Sequence, residues 1–171
     1  MKAIKYVLAS VFALAILVSC GGEKKTEEKK EQKVKLGVKK EEKKVESAVE
    51  EIVISGNDLM QFDKTEIKVK AGKKVKLTLR HKGKLDVNVM GHNFVLLKQG
   101  VNITAFAGKA AVSKDNQYIP KGSEDIIVHT SLIGAGQTTT IEFDAPAAGT
   151  YDYLCSFPGH YAMMKGKFIV E

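Results

Sequence analysis

The chain has 171 residues, with 27 Lys and Arg against 20 Asp and Glu and a formal net charge of +7. Lys2 and Lys5 carry part of that excess, and residues 21–50 hold ten Lys against eight Glu, which leaves about +3 for the rest. So mild a charge, without aromatic residues interleaved among the basic ones, excludes a nucleic-acid-binding surface.

The chain opens with Lys2 and Lys5, then an apolar run from Val7 to Val18 that is too short to span a bilayer comfortably. A positive start, a short apolar middle and small residues at the end describe a secretory signal. Leu17-Val18-Ser19-Cys20 resembles the lipobox of bacterial lipoproteins. That resemblance implies a signal peptide over residues 1–19, cut before Cys20, whose thiol is lipidated. An uncleaved anchor, or a plain signal with a chance cysteine, is the alternative. Several acyl chains on one residue hold a protein stably to a membrane, where one chain is marginal. The expected location is the bacterial cell envelope, periplasm or outer membrane, on a lipid anchor. Residues 20–50 then read as a tether: almost all Lys, Glu and small residues, they cannot bury enough apolar surface to offset their ordering entropy.

From residue 51 the pattern changes. Ile52 and Ile54, Ile67 and Val69, and Val75, Leu77 and Leu79 alternate with polar neighbours, and Gly56-Asn57-Asp58 and Ala71-Gly72 turn the chain between them. Further on, Ile141 and Phe143, Tyr151 and Tyr153, and Phe168 and Val170 repeat the period of two. Such alternation bounded by turn residues predicts half-buried strands. Several of them in about 120 residues predict one all-β domain over 51–171, a sandwich or barrel. Ala105, Ala107, Ala110, Ala111 and Val112 break the pattern and predict one or two short helical turns in a long connection.

With lipid on Cys20, Cys155 is left as the other of only two cysteines. A lone thiol in an exported, oxidising compartment is a liability unless something occupies it. Cys155 opens the run Cys155-Ser156-Phe157-Pro158-Gly159-His160-Tyr161-Ala162-Met163-Met164, between two expected strands. A thiolate, an imidazole five residues on and a thioether four further on share one loop, and Pro158-Gly159 turns it so that its ends can converge. A fourth group has to come from elsewhere. His92 fits, an isolated polar side chain within Val89-Met90-Gly91-His92-Asn93-Phe94-Val95-Leu96. Two imidazoles, one thiolate and one weak thioether describe a blue-copper electron-transfer site with a long axial Met. Zinc would favour four stronger ligands, or three and a water. Taken singly, His92, Cys155 and Met164 are each commoner as packing residues; their joint spacing carries the reading.

Met90-Gly91-His92-Asn93 and Cys155-Ser156-Phe157-Pro158-Gly159-His160 with Met164 resemble the copper motifs of the azurin family. Ser55 to Phe62, Leu79 to Gly83 and His129 to Gly134 also resemble segments of that family, in the right order. The resemblance implies an eight-stranded, cupredoxin-like Greek-key sandwich with a short helical flap. It implies a single copper ion as cofactor, with the Gly91 carbonyl nearby, and backbone contacts from Asn93 and Phe157 to the thiolate. His81 maps beside the site without ligating. Met60, Leu85, Val89, Met90, Phe157, Pro158, Ala162 and Met163 map to an apolar partner patch around His160. The disulfide usual in that family has no cysteines here, and with no Trp in the chain Phe62 and Phe94 must help fill the core.

The expected function is one-electron transfer with redox proteins such as c-type cytochromes, a peroxidase or a copper reductase. No catalytic acid or base is evident, so no enzymatic activity is expected. A copper chaperone or a metal-free recognition sandwich are the competing readings; the first would favour a more open Met- and His-rich site, and the second leaves the thiol unexplained.

Overall fold

The computed structural model describes residues 49–171. The expected signal peptide, Cys20 and the expected tether up to residue 48 lie outside the described residues. Eight strands are present among them: β1 (Val49–Gly56), β2 (Glu66–Val69), β3 (Lys74–His81), β4 (Val95–Leu97), β5 (Ile126–His129), β6 (Thr138–Asp144), β7 (Gly149–Leu154) and β8 (Lys165–Val170). They form a sheet in the order β1-β3-β6 and a second in the order β2-β8-β7-β4-β5. β1 runs parallel to β3 and β2 parallel to β8, while the other pairs are antiparallel. The result is a two-sheet sandwich, one of the two architectures that the alternation left open and the one the family resemblance implies. β1 begins at Val49, two residues inside the stretch assigned to the tether.

The inward residues of the alternating strands make the core. Ile54, Val75, Leu77 and Leu79 from one sheet meet Leu96, Tyr153 and Phe168 from the other and Phe94 just before β4, all without solvent exposure. Each such side chain contributes about 1.5–3 kcal/mol by leaving water. The Tyr153 ring packs 5.0 Å from Phe94 and 5.9 Å from Phe62, so three aromatic residues occupy the centre of a chain without Trp.

β4 shows no alternation because it is buried on both faces. Leu96 points into the sandwich, while Val95 and Leu97 point outward to a second cluster with Leu154. That cluster is covered by Phe106 and Ala110 of helix α2 (Ile103–Ala111) and by Ile119. Asn102 caps α2 by accepting from the Ala105 N–H at 2.9 Å. The expected short helical turns are thus one nine-residue helix, followed by a 3-10 turn at Lys114–Asn116. A further turn, α1 (Val87–Met90), is capped by Asp86 and leads directly into Gly91 and His92. Among the described residues no helix is long and apolar enough to cross a membrane.

Candidate metal centre

The candidate ligands collect at one end of the sandwich. β7 delivers Cys155 and β8 takes over after Met164, so the loop between them holds the ten residues 155–164. Gly159, at a φ of 84°, makes the turn that brings the loop back, and a 3-10 turn starts at His160. The loop is closed by backbone bonds: the Cys155 N–H donates to the Met164 carbonyl at 2.9 Å, and the Met164 N–H to the His160 carbonyl at 2.8 Å. His92 arrives from the other side, on a bridge in which it exchanges both backbone bonds with Ile133 at 2.9 Å.

The potential ligand atoms of His92, Cys155 and His160 lie within 4.8 Å of one another, and all three residues are buried. Sγ of Cys155 is 4.0 Å from Nδ1 of His92 and 3.6 Å from Nδ1 of His160. Nε2 of His92 donates to the Asn57 carbonyl at 2.9 Å, which fixes the tautomer and leaves the Nδ1 lone pair facing the sulfur. Met164 is fully buried, and its methyl group and the His92 ring both lie over Gly56. A Cβ at Gly56 would fall 2.6 Å from Cδ2 of His92, so this position has to be glycine for the ring to sit where it does. The Gly91 carbonyl oxygen is 3.9 Å from Sγ of Cys155.

The electrostatics keep this cluster uncharged without a cation. Burial pushes the Cys155 thiol up to about 11, against the opposing pull of the Asn93 and Phe157 backbone N–H groups, which favour the thiolate. Burial, and then the neighbouring His92 and His81, bring His160 down to about 4. Burial also lowers His92. Two neutral imidazoles and a thiol that only a cation would deprotonate form a donor set that fits a soft-to-borderline metal held by nitrogen and sulfur.

The surrounding residues fix the donors. The two ligand segments are tied where Ser156 N–H donates to Oδ1 of Asn93 and Nδ2 of Asn93 donates to Oγ of Ser156, both at 2.8 Å. His81 stacks on His92 with ring centroids 4.4 Å apart, and its Nε2 donates to the Met90 carbonyl at 2.7 Å. It therefore lies against the site without facing its centre. The Phe157 ring lies 4.6 Å from that of His160.

Of the apolar residues assigned to the partner patch, Leu85, Val89 and Met163 are strongly exposed, as are Pro158 and Ala162. Met60 and Met90 are half-buried. Phe157 is buried and supports the patch from below. Leu59, 68% exposed, also presents apolar surface and was not among the residues that the sequence singled out. Sequence reasoning also missed the Asn57 carbonyl, Ile133, and Gln117 and Tyr118. These act mainly through backbone atoms, which leave no mark on residue type.

A two-sheet sandwich that gathers one thiol and two neutral imidazoles in its end loops defines a small β-sandwich metalloprotein. Comparison with known proteins makes this specific. Residues 48–171 match the model of the copper binding proteins of the plastocyanin/azurin family, and the chain belongs to that family. It is 50% identical over 117 residues to azurin-1 of Alcaligenes xylosoxydans xylosoxydans, covering 66% of this chain and 91% of the relative. It is 41% identical over 120 residues to azurin of Pseudomonas fluorescens biotype C, covering 68% and 94%. Among solved structures it is similar to auracyanin A, a "blue" copper protein of Chloroflexus aurantiacus, with a TM-score of 0.66 and 32% identity over 72% of this chain and 99% of that one. Copper is accordingly the cofactor, and membership of this family implies electron transfer.

Proposed function

We propose that the chain is a type 1 blue-copper electron carrier of the bacterial cell envelope, tethered to a membrane through lipid on Cys20. Nδ1 of His92, Nδ1 of His160 and the Cys155 sulfur would hold copper, with Met164 and the Gly91 carbonyl as weaker neighbours. The observation that carries this reading is the convergence of those three donors, from two separate segments, within 4.8 Å. When bound, copper supplies a reversible one-electron couple.

The chain's own residues supply rigidity and access. The backbone bonds closing the 155–164 loop, the Ile133 bridge and the Asn57 contact hold each donor where both oxidation states can use it. Little then has to move when an electron arrives or leaves. Burial excludes water from the thiolate. The exposed Leu85, Val89, Pro158, Ala162 and Met163 present an apolar face beside the His160 loop. An exposed apolar patch marks a protein interaction site. Redox encounters are small and weak, so partners part quickly. Such partners are c-type cytochromes, a peroxidase or a copper reductase. On this reading the chain works as a shuttle, not as an enzyme.

The test is direct. Cu(II) added to the full chain should give an intense blue protein with a reversible one-electron couple. Cys155→Ser should be colourless, and Met164→Leu should stay blue with a raised potential. A blue Cys155→Ser variant refutes the ligand assignment, and a colourless wild type that hands copper to an acceptor would be a copper carrier instead. For the anchor, labelled fatty acid should enter the wild type and not Cys20→Ser.

A further inference from the structure

Two successive residues outside both ligand loops, Gln117 and Tyr118, have left-handed backbones with φ of 55° and 61°. Neither is glycine, and non-glycine residues adopt this conformation uncommonly. Strain of this kind persists where the surroundings over-determine it, and it collects at functional sites. Here the surroundings are the flanks of all three candidate donors.

The Gln117 carbonyl accepts from Nδ2 of Asn93 at 3.3 Å, next to His92. The Tyr118 carbonyl accepts from Oγ of Ser156 at 2.8 Å, next to Cys155. Oε1 of Gln117 accepts from the Leu132 N–H at 2.8 Å, and the following residue, Ile133, forms the backbone bridge to His92. The Tyr118 ring meets Phe157 edge-on at 5.0 Å, and Phe157 in turn packs on His160. The turn itself is pinned from behind, where the Gln117 N–H donates to the Lys114 carbonyl at 3.0 Å and the Tyr118 N–H to the Ser113 carbonyl at 2.9 Å.

We propose that the left-handed Gln117–Tyr118 pair is a positioning clamp for the metal centre, setting the separation of the His92 and Cys155 segments from the flap side. The proposal rests on the copper reading above. Asn93 and Ser156 tie the two segments to each other. The clamp ties that pair to a third, independent part of the fold, so the two segments cannot shift together relative to His160. Neither clamp residue touches the centre, so both act only through others.

A pair of substitutions isolates the backbone. Gln117→Gly and Gln117→Val both remove the Oε1 acceptor. Glycine keeps the left-handed turn without steric cost, whereas a β-branched residue is a poor fit to it. Loss of an outer-shell partner typically weakens metal binding 10- to 100-fold. Gln117→Val should therefore lose copper to a chelator about tenfold faster than wild type, with a shifted thiolate–copper absorption band and altered EPR hyperfine splitting. Gln117→Gly, which loses the Oε1 contact but keeps the turn, should be altered clearly less than Gln117→Val in all three. Equal spectra and equal copper loss in Gln117→Val and wild type would overturn the clamp, and so would a Gly variant as altered as the Val variant. Should the Val variant not fold, Tyr118→Gly decides: it keeps the turn and both carbonyls but strips the ring from Phe157. Its spectrum must change, and an unchanged one overturns the proposal. A wild-type chain that holds no copper would instead refute the copper reading, a distinct result visible before any variant is made.

Discussion

The body of the sandwich and its metal-bearing end are built by different forces. In the body the buried side chains are apolar: Val75, Leu77, Leu79, Leu96, Phe168 and Val170 pack between the sheets. At the loop end the buried polar side chains gather: Ser55 and His81 where β1 and β3 finish, and His92, Asn93, Thr130, Ser156 and His160 in the connections. None of the buried side-chain nitrogen or oxygen atoms among the described residues lacks a hydrogen-bond partner. Burial of apolar surface is non-directional and tolerates small adjustments. A satisfied polar network fixes angles as well as distances, and is costly when broken. The first force gives a stable wall, and the second gives donor atoms a fixed geometry on that wall.

The comparison predicts that stability and copper properties can be damaged separately. The largest stability effect should come from the body. Leu77→Ala removes a fully buried side chain from the centre of β3, and such truncations cost about 2–5 kcal/mol. Chemical denaturation should show that loss while the visible spectrum of the copper-loaded protein stays unchanged. A shifted spectrum would mean that the two regions are not mechanically distinct. Asn93→Ala should do the reverse. It leaves the Ser156 N–H without its acceptor, at about 1–3 kcal/mol. It should also weaken copper binding 10- to 100-fold, as read by chelator competition.

Legibility in the sequence follows the same division. β1, β2, β3, β6, β7 and β8 showed themselves by alternation, because one face of each meets the core and the other meets water. β4 did not, because the α2 flap covers its outer face and makes Val95, Leu96 and Leu97 uniformly apolar. β5 has no clear alternation either; Ile126, Ile127 and Val128 are all half-buried at the edge of the sheet. At the loop end the candidate donors that the fold brings together, His92, Cys155 and His160, were legible from residue type and spacing, since thiolate and imidazole chemistry belongs to few side chains. What holds them was mostly illegible. The Asn57 carbonyl that orients His92, the Ile133 bridge and the left-handed turn at Gln117 use backbone atoms, and any residue has those. The apolar patch came from the family resemblance, which reached the exposed Val89 and Met163, but only the fold distinguishes the exposed Leu59 from the buried Phe157.

Titration sharpens the comparison next. In the metal-free protein, His160 is held at about 4, below its ordinary 6.5, so between those values the unfolded chain binds more protons than the folded one. Stability therefore falls as pH drops from about 6.5 to about 4. Cys155 acts at the other end: its thiol is held at about 11, above its ordinary 9.0, so its contribution is complete below 9 and is lost as pH rises toward 11. Denaturation midpoints of metal-free protein should be highest between these two windows. Cys155→Ser should lessen the alkaline fall and leave the acid one, which assigns that part of the alkaline limb to the thiol.

The smallest expected effect tests where the two regions meet. Tyr153 stands in β7 two residues before Cys155, with its ring in the body and its hydroxyl donating to the Lys64 carbonyl at 2.6 Å. Tyr153→Phe keeps the ring and removes one neutral hydrogen bond, which costs about 0.5–1.5 kcal/mol. The ring contacts with Phe94 and Phe62 should hold β7 in place, because they are untouched. The potential and absorption of the copper-loaded variant should then equal those of wild type. If the potential moves while stability barely changes, β7 transmits strain from the body to the sulfur. The donors would then be positioned by the wall itself as well as by the polar network at its end.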